Sequence, residues 1–195
     1  MEDILVKSDY IMETERLILS LIELDDADQL FPNMSNQNIS VDMSWKPHET
    51  IDETLGFIEN VHASFSNGKS VTWCIRLKSD IKTIIGIFSI ISIVRQHREL
   101  IYDKAELAYW IAPFYEKKGY MSESAKAVLA FGFEKLKLHK FVVSHHINNE
   151  NSKKLILRLN FRHTYIEEQA FMKNNIWIDV AHYELLKIRY QKNAV

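Results

Sequence analysis

The chain has 195 residues, 47% hydrophobic and 26% charged, with 24 Lys and Arg against 26 Asp and Glu, for a formal net charge of −2. That balance suits a single globular domain, 1–195, with an adequate core, and it argues against broad electrostatic binding to nucleic acid or anionic membrane. The single cysteine, Cys74, excludes an intrachain disulfide, and without a signal-peptide pattern or a run of about 18 apolar residues the chain reads as soluble and cytoplasmic.

Residues 1–13 read as a loosely held lead-in, and Arg16-Leu17-Ile18-Leu19-Ser20-Leu21 as a first strand. Asp25 starts a short helix through about Phe31. A loop at Val41–His48 carries Trp45, which either covers a cleft or closes the core. Thr50-Ile51-Asp52-Glu53 matches a capping box, and Ile51, Leu55, Ile58, Val61 and Phe65 recur at helical spacing until Asn67-Gly68. Residues 71–78 alternate, with Val71, Trp73, Ile75 and Leu77 on one face and Thr72, Cys74, Arg76 and Lys78 on the other, which predicts a half-buried strand. Thr83–Val94 is too rich in isoleucine to prefer a helix, and Gly86 inside it marks a bulge or a close contact. A polar loop at Arg95–Asp103 leads into the strand Ala105–Ile111, which Pro113 helps to end.

The turn Glu116-Lys117-Lys118-Gly119-Tyr120-Met121 then opens an amphipathic helix with Met121, Ala125, Val128, Leu129, Phe133 and Leu136 on one stripe. A strand that ends at a helix N-terminus leaves unpaired N–H groups at the positive end of the helix dipole, an arrangement that holds phosphate. Gly119 permits close approach, and two lysines add charge. Lys140–His146 supplies the next strand, placed parallel to Ala105–Ile111 by the intervening helix. Asn151 caps a short helix, Ser152–Leu159, and Asn160 suits a left-handed residue after it. Phe161–Glu168 and Ile176–Lys187 form a final apolar hairpin, which makes a homodimer reasonable. His145 and His146 fall on opposite strand faces with no completing carboxylate or thiolate spacing, so no metal site is expected.

Four segments in this order resemble a known family: Thr14-Glu15-Arg16-Leu17; Trp45 with Pro47; Glu106-Leu107-Ala108-Tyr109-Trp110-Ile111 leading into Lys118-Gly119-Tyr120-Met121-Ser122-Glu123; and Asn151-Ser152 followed by Leu159-Asn160-Phe161. The chain resembles the GNAT superfamily of N-acetyltransferases, in particular the RimJ/RimL-like ribosomal-protein N-terminal acetyltransferases. The resemblance implies an α+β (mixed α/β) fold, with a central mixed, mostly antiparallel sheet of about seven strands, a splayed strand pair and about four helices.

It also implies acetyl-CoA as acetyl donor, with the pyrophosphate at Lys117, Lys118, Gly119, Tyr120, Met121 and Ser122. The pantetheine arm would lie along the backbone at Tyr109 and Ile111, with Asn151 on its other side. Glu116 and Met121 depart from the family's turn, but backbone N–H groups supply most phosphate contacts and any non-proline residue provides them; the Glu116 side chain is expected to point outward. The acceptor is an amine near Trp45. A protein N-terminus is the leading class, a polyamine or aminoglycoside the alternative, and a non-catalytic acetyl-CoA sensor the reading from another class.

Ser152 matches the family position given the acid role. Where the branch carries an acidic residue, this chain has Phe171. Glu106 or Glu168 is left to deprotonate the amine, directly or through water, unless the reaction proceeds without a protein base. Glu106 also suits a simple ion pair with a nearby cation such as Arg98 or Lys104.

Overall fold

The computed structural model describes residues 6–193. Their hydrophobic segments first pair antiparallel in chain order: β1 (Met12–Glu13), β2 (Leu17–Leu21), β3 (Val71–Leu77), β4 (Asp80–His97) and β5 (Leu100–Ile111). A parallel neighbour needs a crossover. Here α4 (Tyr120–Ala130), prolonged by a π-helical turn at Phe131–Lys135, carries the chain to β6 (Lys140–His146), parallel to β5 as expected. The final hairpin, β7 (Arg162–Lys173) and β8 (Ile176–Leu186), adds with β8 against β6 and β7 at the edge.

Helices cover both faces. On one, Ala125, Val128 and Leu129 of α4 pack with Phe88, Leu107, Phe141 and Val143. On the other, α1 (Ala27–Met34) and α3 (Ile51–Ser66) bring Leu30, Met34 and Ile58 against Cys74, Ile87 and Trp110. The short α2 (Gln37–Ser40), α5 (Glu150–Arg158) and α6 (Lys187–Asn193) complete the helices of the described residues. The mixed, mostly antiparallel class is as expected; β1, α2 and α6 raise the counts to eight strands and six helices.

Coverage on both faces corrects the reading of β3 as half-buried, since Cys74 and Trp73, on opposite faces, are both 0% exposed. The stretch Arg95–Asp103 is strand except for a turn at Arg98-Glu99, and Arg95 pairs with Asp103 across it at 3.3 Å. Water wets the flanks of this hairpin, so its charges conceal the strand pattern. Residues 7–13 are tied down instead of trailing: the Tyr10 ring lies 5.1 Å from Phe65 and 5.3 Å from Phe131, and the Tyr10 carbonyl accepts the Trp73 indole N–H at 2.6 Å. Residues 1–5 of the lead-in lie outside the described residues. Asn149, not Asn151, caps α5: its Oδ1 accepts the Ser152 N–H at 2.9 Å.

The feature that creates a site is the brevity of the β5–β6 pairing. It holds at Lys104–Lys140, Ala105–Phe141 and Glu106–Val142 and then stops. Beyond that vertex, Leu107–Ile111 has no partner on the β6 side among the described residues, whereas β6 stays paired with β8 through His146.

Candidate active site

The unpartnered edge of β5 has a defined chemistry. The Ala112 N–H donates to the Ile85 carbonyl of β4 at 2.8 Å, so antiparallel alternation turns the N–H and C=O of Tyr109 and Ile111 away from β4 and into the gap. Gly86 lies opposite Ile111 in β4, and a Cβ there would come within 2.4 Å of the Trp110 carbonyl oxygen. That close approach is one of the two roles its sequence position suggests.

The Tyr109 hydroxyl hydrogen-bonds Ser152 Oγ at 2.8 Å, linking β5 to α5. Burial pushes the phenol up to about 12, with the Ser152 bond acting in the opposite sense. The pair therefore stays protonated at neutral pH. On the other face of β5, Glu106 accepts from Ser144 Oγ of β6 at 3.4 Å; among the described residues neither Arg98 nor Lys104 pairs with it. Glu168 is exposed in an irregularity of β7 between Glu167 and Phe171, and the Phe171 ring packs 5.4 Å from His146.

At the end of the gap the chain turns into α4. Lys117 has φ 59° and Gly119 φ 85°, the left-handed conformation that glycine takes without strain. The Glu123 N–H is the first to bond back, to Gly119 O at 3.0 Å. The N–H groups of Tyr120, Met121 and Ser122 are consequently free of helical partners. Lys117 and Lys118 are exposed, and the Lys118 ammonium sits 4.1 Å from the Phe114 ring centroid. Glu116 does not point freely outward: its Oε2 accepts from Asn151 Nδ2 at 3.5 Å, which draws it toward α5.

The support of this turn comes from residues with no assigned role in the sequence reading. Arg16 donates from Nη1 to Lys118 O at 3.0 Å and from Nε to Glu123 Oε2 at 2.7 Å, and its guanidinium lies 4.6 Å from the Tyr120 ring centroid. Glu123 Oε1 also accepts from Thr14 Oγ1 at 2.5 Å and from the Arg16 N–H at 2.8 Å. Burial pushes the Glu123 carboxyl up, but these bonds outweigh it and hold the group below its ordinary value. Both partners stood in segments that carried the resemblance, which is the signal that could have joined them. Trp45 is partly buried against the α1–α3 cluster, with its ring 5.8 Å from His48, so closing the core is at least one of its functions.

A family model for the acetyltransferase (GNAT) domain matches residues 16–162. The chain belongs to the GNAT acetyltransferase family. It is an N-acetyltransferase, and the relatives of this GNAT protein carry the same description. It is 28% identical over 179 residues to the uncharacterized N-acetyltransferase YoaA of Bacillus subtilis (strain 168), covering 92% of this chain and 98% of that one.

Among solved structures, RimL, a ribosomal L7/L12 alpha-N-protein acetyltransferase in complex with coenzyme A, matches with a TM-score of 0.81 at 19% identity over 90% of this chain and 97% of that one. A spermidine N-acetyltransferase from Vibrio cholerae in complex with CoA and spermine matches with a TM-score of 0.78 at 22% identity over 90% and 98%. These two likenesses concern the fold. Among the described residues no group of three or more His, Cys, Asp or Glu is arranged for a metal ion, and no helix is long and apolar enough to cross a membrane.

Proposed function

We propose that this GNAT protein transfers the acetyl group of acetyl-CoA to a primary amine, with a protein N-terminal α-amine as the acceptor class. The observation that carries the reading is the β5–β6 gap, with free backbone groups at Tyr109 and Ile111 along one side and the open amides of Tyr120, Met121 and Ser122 at its end. An extended pantetheine arm adds to such an edge as a short strand, flanked by Asn151. The pyrophosphate takes the helix-terminal amides beside Gly119, with Arg16, Lys117 and Lys118 supplying positive charge. A β5 N–H in the gap stabilises the oxyanion as a neutral amine attacks. The departing thiolate takes a proton from Ser152, whose hydroxyl Tyr109 orients.

Electrostatics at the mouth favour an α-amine over a polycation. Asp42 is engaged by Asn149 at 2.9 Å and stands 3.5 Å from His146, with the Lys173 ammonium beside it to offset its charge against a second cation. An α-amine, with a pKa of about 8 against about 10.4 for a lysine, is also more readily neutral. The exposed Tyr165, Ile166, Ile176 and Trp177 of the terminal hairpin support a homodimer, which sedimentation would check.

Thiol release from acetyl-CoA with a serine-started peptide, spermidine and an aminoglycoside tests the assignment. The peptide is expected to give the highest kcat/KM. A preference for spermidine would replace the acceptor class, and tight CoA binding without turnover of any amine would mark a sensor module. If neither CoA nor acetyl-CoA raised the melting temperature, both readings would fail.

A further inference from the structure

The β6 arm of the gap carries a titratable pair that the reaction outlined above does not use. Burial alternates along β6, so Val142, Ser144 and His146 share the face that meets Glu106, and Phe141, Val143 and His145 share the other. Same-face neighbours on a strand are about 6.6 Å apart, so Glu106, Ser144 and His146 form a file from the vertex toward the mouth. There the His146 side chain is 14% exposed, its ring lies 5.4 Å from Phe171, and its Nδ1 stands 3.5 Å from Asp42 Oδ1.

Asp42 is itself held in place. Asn149 Nδ2 donates to its Oδ2 at 2.9 Å, and the Lys173 ammonium donates to the carbonyls of Ser40 and Met43 on either side. The loop after α2, the turn between β6 and α5, and β7 thus converge on one imidazole. Neighbouring His145 has no free ring nitrogen to offer, since Nδ1 meets the His146 carbonyl at 2.7 Å and Nε2 meets the Tyr183 hydroxyl at 3.4 Å.

We propose that His146, oriented by Asp42, is the general base that deprotonates the acceptor amine. The inference rests on the acetyltransfer reading given above. With Asp42 facing Nδ1, that nitrogen keeps its proton and Nε2 presents its lone pair. Nε2 takes a proton from the acceptor ammonium, and the freed amine lone pair forms the C–N bond to the acetyl carbon. The C–S bond breaks, and its electron pair leaves on sulfur. The thiolate takes a proton through Ser152, made good by the proton lost from the new amide nitrogen, and His146 returns its own proton to water at the mouth. The sum is one amide, one thiol and one released proton.

The surroundings suit the role. Burial lowers the basicity of the imidazole, Asp42 raises it, and Lys173 and His145 lower it, with a net depression below the ordinary value, so the ring is neutral at pH 7. Glu106 stands on that face at the far end of the file, and β8 presents His182 opposite Ser144, engaged by Glu167 at 3.0 Å, and Glu184 opposite Val142, engaged by Lys140 at 3.2 Å.

The test is the pH dependence of kcat for the full chain, using the peptide amine and acetyl-CoA, in wild type, His146→Gln and Asp42→Asn. In wild type kcat should rise through one ionisation below the ordinary imidazole value. His146→Gln should remove that limb and lower kcat by about 10²–10³-fold, with the KM for acetyl-CoA and the CoA-induced rise in melting temperature unchanged. Asp42→Asn should keep the limb but move it to lower pH, because the lost carboxylate was raising the imidazole. A His146→Gln enzyme with the wild-type profile overturns the proposal, as does a loss of turnover matched by a loss of CoA-induced stabilisation. Wild type that binds CoA but acetylates no amine removes the acetyltransfer reading and His146 with it; an active wild type with an unchanged variant profile removes His146 alone.

Discussion

A phenol kept protonated by burial can orient a neighbouring hydroxyl without competing for protons, which is how Tyr109 serves Ser152. Ser152 contributes to the helix cap through its backbone N–H, which alanine retains. Ser152→Ala is therefore expected to lower kcat about 10²-fold with little change in the KM for acetyl-CoA, and Tyr109→Phe to cost less; steady-state kinetics decide, and unchanged turnover would leave Ser152 a structural residue. Gly119 has the opposite profile. At φ 85° a side chain is strained, and a Cβ would stand 3.3 Å from Arg16 Nη2. Gly119→Asp adds a negative charge as well, so CoA should bind far more weakly, seen as loss of the thermal shift with CoA; an unaltered shift would place the pyrophosphate elsewhere.

Among the elements, β2 and α4 are joined through Arg16, Thr14 and Glu123, a clamp that sets where the α4 N-terminus points. Because the folded Glu123 carboxyl binds its proton less readily than the unfolded one, the clamp's contribution is full above the unfolded value of about 4.3 and fades as pH falls through the lower folded value. Wild-type melting temperature should drop across that window, and Glu123→Gln should show a shallower drop together with weaker CoA binding at neutral pH; parallel pH curves would rule out the clamp. Gly86→Ala forces β4 and β5 apart at Trp110 and is expected to destabilise by about 1–3 kcal/mol, measurable by denaturant unfolding.

The element boundaries were legible where the periodicity was local and one-sided. The Thr50 N-cap, the stripe of α4 and the left-handed Asn160 at φ 63° all appear where the sequence puts them, although the Glu53 carboxylate reaches back to the Glu49 N–H and not to Thr50, so the capping box is not closed. The Arg95–Asp103 hairpin and β3 depart from the expected loop and half-buried strand because wetting of both faces, or burial of both, erases the alternation that a half-buried strand displays.

For the whole molecule, the gap is where the sheet gives up hydrogen bonds that a ligand can replace. CoA at 100 times its Kd should add about 2.7 kcal/mol of stability, a rise in melting temperature on the order of 5–10 °C for a chain of this size. A shift confined to less than about 1 °C would mean that CoA does not bind the folded chain.

By itself the sequence determined most of the strands, the glycine turn that opens α4 and the family, because each is written in contiguous residues whose side-chain period and backbone preferences act locally. It also singled out Tyr109, Ile111, Gly119 and Ser152 through their segments. Only the tertiary structure decided that Arg16 meets Glu123 across 107 residues, that Asn149 meets Asp42 across 107, and that Phe171 lies against His146. Such contacts depend on how the sheet splays and how β7 shifts its register after Glu167. No periodicity within a segment encodes either, since both arise from the packing of distant elements against one another.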